Sequence, residues 1–244
     1  MCEIFAVSSE KEIKLNALLT EFFSHGNKHP NGWGLAVFYG NAVSLEKEPV
    51  ESNKSSYLKD RLSHQIFACN AIAHIRQATV GKMEYANSHP FILRDGLNRA
   101  WTLAHNGTVF NGEKTDPYAA AQEGSTDSER ILYYLVDRVN REQARLNRAM
   151  TAEERFALVD ETIVGLAPGN KLNLAIYDGE LLYVHTNLAD TLYMKETDGA
   201  AVFATVPLDD GDWRPLPFMT PLAYRFGKRV FTGTRHGFEY RPAA

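Results

Sequence analysis

Apolar and polar positions change period several times along this chain, and each change predicts an element. Residues 3–8 (Glu-Ile-Phe-Ala-Val-Ser) form a short β-prone run. Over 12–25 the apolar Ile13, Leu18, Leu19, Phe22 and Phe23 fall mostly at helical spacing and meet Gly26, which predicts a helix with a glycine at its C-terminal cap. His29-Pro30-Asn31-Gly32 reads as a loop, and 33–39 and 42–47 as two strands joined at Gly40-Asn41, a hairpin signal. A weakly amphipathic helix over 56–65 precedes a strand over 70–76 and a polar loop through Pro90. A further strand over 101–105 is ended by Asn106-Gly107. From Thr126 the pattern becomes a long helix over 127–148, striped by Ile131, Leu132, Leu135, Val136 and Val139 and capped by Ser125 or Thr126. The capping box Thr151-Ala152-Glu153-Glu154 starts a second helix running to about residue 166.

After Pro168-Gly169 the pattern is β-rich: 172–177, a tight turn at Asp178-Gly179, then 181–185, 191–195, 202–206 and 229–232. The proline-rich stretch 207–221 reads as a long surface loop. Strands, then two helices, then more hairpin-connected strands describe an α+β fold with helices packed on the outer faces of antiparallel sheets. Without an internal repeat, a low-complexity stretch or a linker signal, residues 1–244 are expected to form one domain.

Composition narrows the function classes. Of the 244 residues, 44% are hydrophobic and 23% charged, which is enough for a well-formed core. The 26 basic residues against 30 acidic ones give a net charge of −4, with no basic block able to neutralise a run of phosphates, so neither nucleic acid nor an anionic membrane is an expected partner. There is no apolar run of about 18 residues and no export-signal pattern, so a cytoplasmic location is expected. The two cysteines, Cys2 and Cys69, offer neither a disulfide framework nor zinc spacing. Cys69 opens the apolar stretch 69–73 and reads as a small buried hydrophobe.

Cys2 is different. Loss of Met1 would leave a thiol and a free α-amine on one residue, with ordinary pKa values of about 8.5 and about 7.7–8.0, so the amine can take the thiol proton near neutral pH. Such a residue carries its own base. Strand alternation puts His74 and Arg76 on one face; Arg76 suits either a surface ion pair or bidentate capture of a carboxylate, and His74 reads as a hydrogen-bonded sheet histidine. Asn106-Gly107 reads either as a hairpin turn or as two adjacent donors able to hold an oxyanion. Asp127, in the first turn of the long helix, either complements the helix dipole or accepts hydrogen bonds from an ammonium group. Asn87-Ser88-His89-Pro90-Phe91 reads as a turn or as a loop that orders a site.

Taken in order, Met1-Cys2, Pro30-Asn31-Gly32-Trp33-Gly34, the stretch from His74 through Arg76 and Thr79 to Gly81, Asn87 to Phe91, His105-Asn106-Gly107 and Ser125 to Glu129 resemble the class II glutamine amidotransferases. The late segments Thr205-Val206-Pro207-Leu208 and Trp213-Arg214-Pro215-Leu216 are similar to those of short stand-alone members. The resemblance implies an N-terminal-nucleophile hydrolase built as a four-layer αββα sandwich of two mainly antiparallel sheets. It further implies Cys2 as nucleophile with its α-amine as base, and Asn106 and the Gly107 N–H as oxyanion hole. Arg76 would bind the α-carboxylate of glutamine and Asp127 its α-ammonium, with Thr79, Val80, Trp33 and Gly34 lining the pocket and His89 near the site without a chemical step. No metal or organic cofactor is implied. Three readings follow: glutamine amide hydrolysis with ammonia passed to a separate synthase subunit or released, γ-glutamyl amidohydrolysis of a larger glutathione-like conjugate, and a non-catalytic glutamine-binding module.

Overall fold

The computed structural model of the chain describes residues 2–40, 42–78 and 81–242. The N-terminal half runs β1 (Glu3–Lys14), α1 (Asn16–Ser24), β2 (Trp33–Tyr39), β3 (Ala42–Glu48), α2 (Ser56–Ser63), β4 (Phe67–Ile75), β5 (Phe91–Arg94), β6 (Ala100–Thr108) and α3 (Asp127–Leu146). It continues through α4 (Ala152–Leu166), β7 (Lys171–Tyr177), β8 (Leu182–His185), β9 (Tyr193–Thr197), β10 (Ala200–Ala204), β11 (Arg214–Pro215), β12 (Leu222–Arg225) and β13 (Lys228–Thr232). One sheet has the order β11-β9-β10-β1-β4-β2-β3 and the other β13-β12-β8-β7-β6-β5, and their strand pairs are antiparallel.

Alternation along the strands sorts the apolar residues into three cores, and these define the layers. In β1, Phe5 and Val7 join Leu19, Phe22 and Phe23 of α1 and Leu58 of α2 on the outer face of the first sheet. Ile4 and Ala6 point the other way, into a core between the sheets shared with Ile72, Ala104 and Ala175. On the second sheet, Trp101, Leu103, Leu172, Leu174 and Ile176 pack outward against the apolar stripe of α3 and against α4. The α+β reading and the αββα sandwich therefore hold. Among the described residues no helix is long and apolar enough to cross a membrane.

Several boundaries differ from the sequence expectation. β1 continues to Lys14 with a register shift against β4 between Ser8 and Ile13, so the helix starts at Asn16 and not near residue 12. Ile13 lies against the helix-side core from the end of the strand, which is why a helical period fits it equally well. Gly26 is no left-handed cap: it sits in a short 3-10 turn where an added Cβ would lie 2.0 Å from the Ser52 Oγ. Asn106 and Gly107 do not end their strand but lie inside β6, opposite Asn173 and Leu172 of β7. Asn41 of the first hairpin lies outside the described residues, although the flanking pair Tyr39 and Ala42 is in hairpin register.

β5, β11 and β12, each of two to four residues, are too short to carry a period and are additions to the expected strands. The stretch 207–221 is not simply a surface loop, because Leu208 and Leu216 are buried and the Leu216 N–H donates to the Leu192 carbonyl at 2.9 Å. Cys69 is half-buried and thus not a full core residue.

Candidate active site

Of the expected site residues, Cys2, Arg76 and Asp127 lie in one neighbourhood, where Arg76 feels the charges of the other two. Cys2 immediately precedes β1, and the register that pairs Glu3 with Ile75 sets it beside the end of β4. Its thiol is held by one backbone unit: Sγ donates to the Gln77 carbonyl and accepts from the Gln77 N–H, both at 3.3 Å. Burial pushes the Cys2 thiol up, while the Gln77 backbone contact and the cations Arg76 and Lys171 act against that rise.

Arg76 follows β4 and is buried, so it is no surface ion pair. Its two terminal nitrogens donate to the Lys82 carbonyl at 3.0 Å and the Gly81 carbonyl at 3.2 Å. Burial lowers its pKa, and the opposing charges of Cys2 and Asp127 raise it, which places all three groups in one electrostatic neighbourhood. Gly81 lies at φ +81°, and a Cβ there would come within 3.3 Å of Arg76, Asn87 and Ser125 side-chain atoms. A side chain there would be strained by the left-handed backbone and would have to push these neighbours back by a few tenths of an ångström.

Alternation in β6 puts Asn106 on the inner face with Ala104, and His105 on the outer face. The Asn106 side-chain nitrogen is buried and has no hydrogen-bond partner among the described residues. A buried amide donor without a partner costs about 1–3 kcal/mol, so a site that leaves one open is built for something to fill it. The Gly107 requirement is steric and not conformational: a Cβ would lie 1.9 Å from the Lys171 carbonyl oxygen and 2.2 Å from His105 Nε2. His105 donates from Nε2 to that carbonyl at 2.9 Å, which leaves Nδ1 to accept from the Ser128 hydroxyl at 2.9 Å.

Asp127 opens α3, whose N-cap is Thr126, with its hydroxyl accepting from the Glu129 N–H at 3.3 Å. One Asp127 carboxylate oxygen accepts from the Val109 N–H at 2.6 Å, tying the helix start to the segment after β6. Asn87 bridges the two site loops: it donates to the Lys82 carbonyl at 3.0 Å and to Ser125 Oγ at 3.1 Å, and accepts from the Ser125 N–H at 2.7 Å.

The other expected site residues are distributed unevenly. Thr79 and Val80 lie outside the described residues. Trp33 is fully buried in the helix-side core, stacked on Tyr57 with Nε1 donating to Glu48, so its ring faces away from Cys2. At Gly34 an added Cβ would sit 2.0 Å from the His89 carbonyl oxygen, so this glycine admits the 87–90 loop and is not open to a ligand. The His89 ring packs on His74 at 4.1 Å and on Phe91 at 4.4 Å between centroids. The ring nitrogens of His89 make no hydrogen bond among the described residues, and those of His74 have only a contact with the His105 backbone, too poorly aligned to count as a full hydrogen bond. Burial drives both imidazoles neutral, His74 down to about 3.

Lys171 was not singled out in the sequence. The available signal was parity: Asn173, Ala175 and Tyr177 face inward from β7, and Lys171 extends that row by one step. Among the described residues no group of three or more His, Cys, Asp or Glu could hold a metal ion.

The family description for class II glutamine amidotransferases matches residues 1–212. The Escherichia coli protein YafJ, provisionally named a glutamine amidotransferase, is 29% identical over 77% of this chain and 74% of its own length. A predicted glutamine amidotransferase from Pseudomonas aeruginosa superimposes with a TM-score of 0.69 at 22% identity, over 94% of this chain and 100% of that one. The glutamine phosphoribosylpyrophosphate amidotransferase of B. subtilis does so with a TM-score of 0.71 at 18% identity, over 97% of this chain and 50% of that one. The two-sheet sandwich and the family match over residues 1–212 lead to one conclusion: the chain belongs to the class II glutamine amidotransferases.

Proposed function

We propose that the chain, once trimmed of Met1, hydrolyses the side-chain amide of glutamine with Cys2 as nucleophile. The observation that carries this reading is a buried Asn106 amide with no partner among the described residues, on the inner face of the sheet opposite the one whose β4 runs out to Gln77, the residue that holds the Cys2 thiol. The α-amine takes the thiol proton and the thiolate attacks the amide carbon. The resulting oxyanion is held by Asn106 and the Gly107 N–H, each such donor contributing about 2.7–4 kcal/mol. Collapse expels ammonia with the proton returned by the α-ammonium, leaving a γ-glutamyl thioester. A water molecule, deprotonated by the same amine, then releases glutamate and restores the thiol.

Arg76 takes the α-carboxylate and Asp127 the α-ammonium of the substrate. A buried guanidinium beside Asp127 has the planar geometry to pair with a carboxylate, and the Asp127 carboxylate has acceptor capacity beyond Val109. Asn87 and His89 hold the surrounding loops. The test is an assay of ammonia and glutamate from glutamine, glutathione and γ-glutamyl amines, using protein whose N-terminal mass shows Cys2 first. Glutamine is expected to yield ammonia and glutamate in equal amounts. Cys2→Ala is expected to yield neither and to melt within about 2 °C of the wild type, since a half-buried side chain ahead of a strand adds little to the core. Wild-type rates in Cys2→Ala would remove Cys2 from the mechanism.

A further inference from the structure

The acyl-transfer scheme above leaves one buried charged group at the site without a role. Lys171 is the first residue of β7 and only 7% exposed, and its charge and that of the Cys2 sulfur act on each other. Three alternations place it. In β7, Asn173, Ala175 and Tyr177 face the intersheet core or its edge, so Lys171 shares their face. In β1, Ile4 and Ala6 face that same core from the opposite sheet, and Cys2 shares theirs. In β6, Asn106 and Thr108 stand on the inner face, and Thr108 is the register partner of Lys171. The lysine backbone is fixed as well, because its carbonyl is bonded to His105 Nε2 and closely packed against Gly107.

We infer that Lys171 is an electrostatic positioning residue for the nucleophile: its buried ammonium holds Cys2 toward the thiolate and the neighbouring α-amine toward its neutral, proton-accepting form. One positive charge favours both members of that pair in their reactive states, since each gains a proton at a cost next to a cation. The reciprocal effect is consistent with this: burial lowers the Lys171 pKa, and the Cys2 sulfur raises it. The other side-chain charge acting on the thiol is Arg76 at the end of β4, itself beside Asp127 at the start of α3, while His74, His89 and His105 are driven neutral by burial. The Glu3 carboxylate is occupied by His25 at 2.7 Å and His29 at 3.6 Å. Arg76 is bound into the 81–82 turn, so Lys171 is a second, separately mounted cation on the opposite sheet.

The inference rests on Cys2 as nucleophile, and its test is chosen to read without turnover. Met1-trimmed wild type, Lys171→Met, Lys171→Gln and Lys171→Arg are alkylated with iodoacetamide from pH 5.5 to 9, with modification of the N-terminal peptide followed by mass. The two neutral variants are expected to move the reactivity midpoint up by about one pH unit, making alkylation below it about tenfold slower. Lys171→Arg is expected to stay within about threefold of wild type. The acidic limb of kcat/KM for glutamine should move by the same amount, with KM nearly unchanged. An unchanged alkylation profile in whichever neutral variant folds overturns the inference, as does an Arg variant shifted as far as the neutral ones. A Cys2→Ala enzyme that still released ammonia would defeat the proposed function but would not alter the alkylation result.

Discussion

Gly107→Ala isolates the consequence of Asn106-Gly107 lying inside a strand. Gly107 is not in the left-handed region, so alanine brings no backbone strain and the effect is purely one of space. The new methyl would lie 1.9 Å from the Lys171 carbonyl oxygen, 2.8 Å from its carbon and 2.2 Å from His105 Nε2. Relaxed carbon–oxygen contacts are about 3.3 Å or longer, so β6 and β7 must part by about 1 Å at this pair. Overpacking of this kind costs about 1–3 kcal/mol. The 2.9 Å bond between His105 and Lys171 spans the same gap, and its loss adds about 0.5–1.5 kcal/mol. A total near 3 kcal/mol lowers Tm by roughly 10 °C in a domain of this size. Because the displaced N–H is the proposed second oxyanion donor, kcat should also fall by on the order of 10²–10³. Thermal melts and initial-rate assays on the purified variant measure both. A Tm within about 1 °C of wild type, together with unchanged kcat, would refute the strand placement and the oxyanion role.

Arg76→Lys keeps the charge but loses the planar fork, so KM for glutamine should rise by about 10–100-fold with a smaller change in kcat; a kcat loss at constant KM would contradict substrate-carboxylate binding. Asp178 is fully buried and accepts from Arg155 at 2.6 Å, from the Tyr183 hydroxyl at 2.7 Å and from the Leu181 N–H at 2.7 Å. Asp178→Ala removes the fully buried partner of Arg155, leaving it Glu180 and the Met150 carbonyl, and takes the acceptor from the Tyr183 hydroxyl; it should cost about 2–3 kcal/mol in urea denaturation, whereas a loss under about 1 kcal/mol would mean the cluster is not a structural tie. Buried His74 and His185 both have folded pKa values of about 3, depressed chiefly by burial. Their unfolded values lie near 6.5, so the unfolded chain takes up protons first, and the stability they contribute is complete above pH 6.5 and lost as pH falls toward 3. The loss should reach about 2 kcal/mol per histidine by pH 5, and equal urea stability at pH 7 and pH 5 would exclude it.

The fold was legible wherever a segment was long enough to show a period. The stripe of α3 and the capping box of α4 lie where hydrophobic spacing and Thr151 with Glu154 put them, because both signals act within one or two helical turns. The first helix starts later than the period suggests, because Ile13 is apolar for the sake of a sheet that residues 67–68 complete from far along the chain. Asn106-Gly107 is the sharper case. As a dipeptide it is a strong turn signal, yet seven paired residues on β7 outweigh the local preference and draw it into the ladder.

What the amino-acid order determined by itself was the set of reactive groups and their local frames: a cysteine beside the chain start, an arginine just past a strand, an Asn-Gly pair and a capped helix carrying Asp127 in its first turn. Local rules suffice for these because they depend on neighbours within about four residues. Only the tertiary structure decided which of those groups share a space. Trp33 and Gly34 belong to packing, the first in the helix-side core and the second against His89, while Lys171 comes within electrostatic reach of Cys2. That selection depends on pairing between strands as much as 201 residues apart in sequence, such as the bond from the Ile4 N–H to the Thr205 hydroxyl. Short-range periodicity carries no information about such registers, because every residue of a strand is two-faced until a second sheet decides which face is inside.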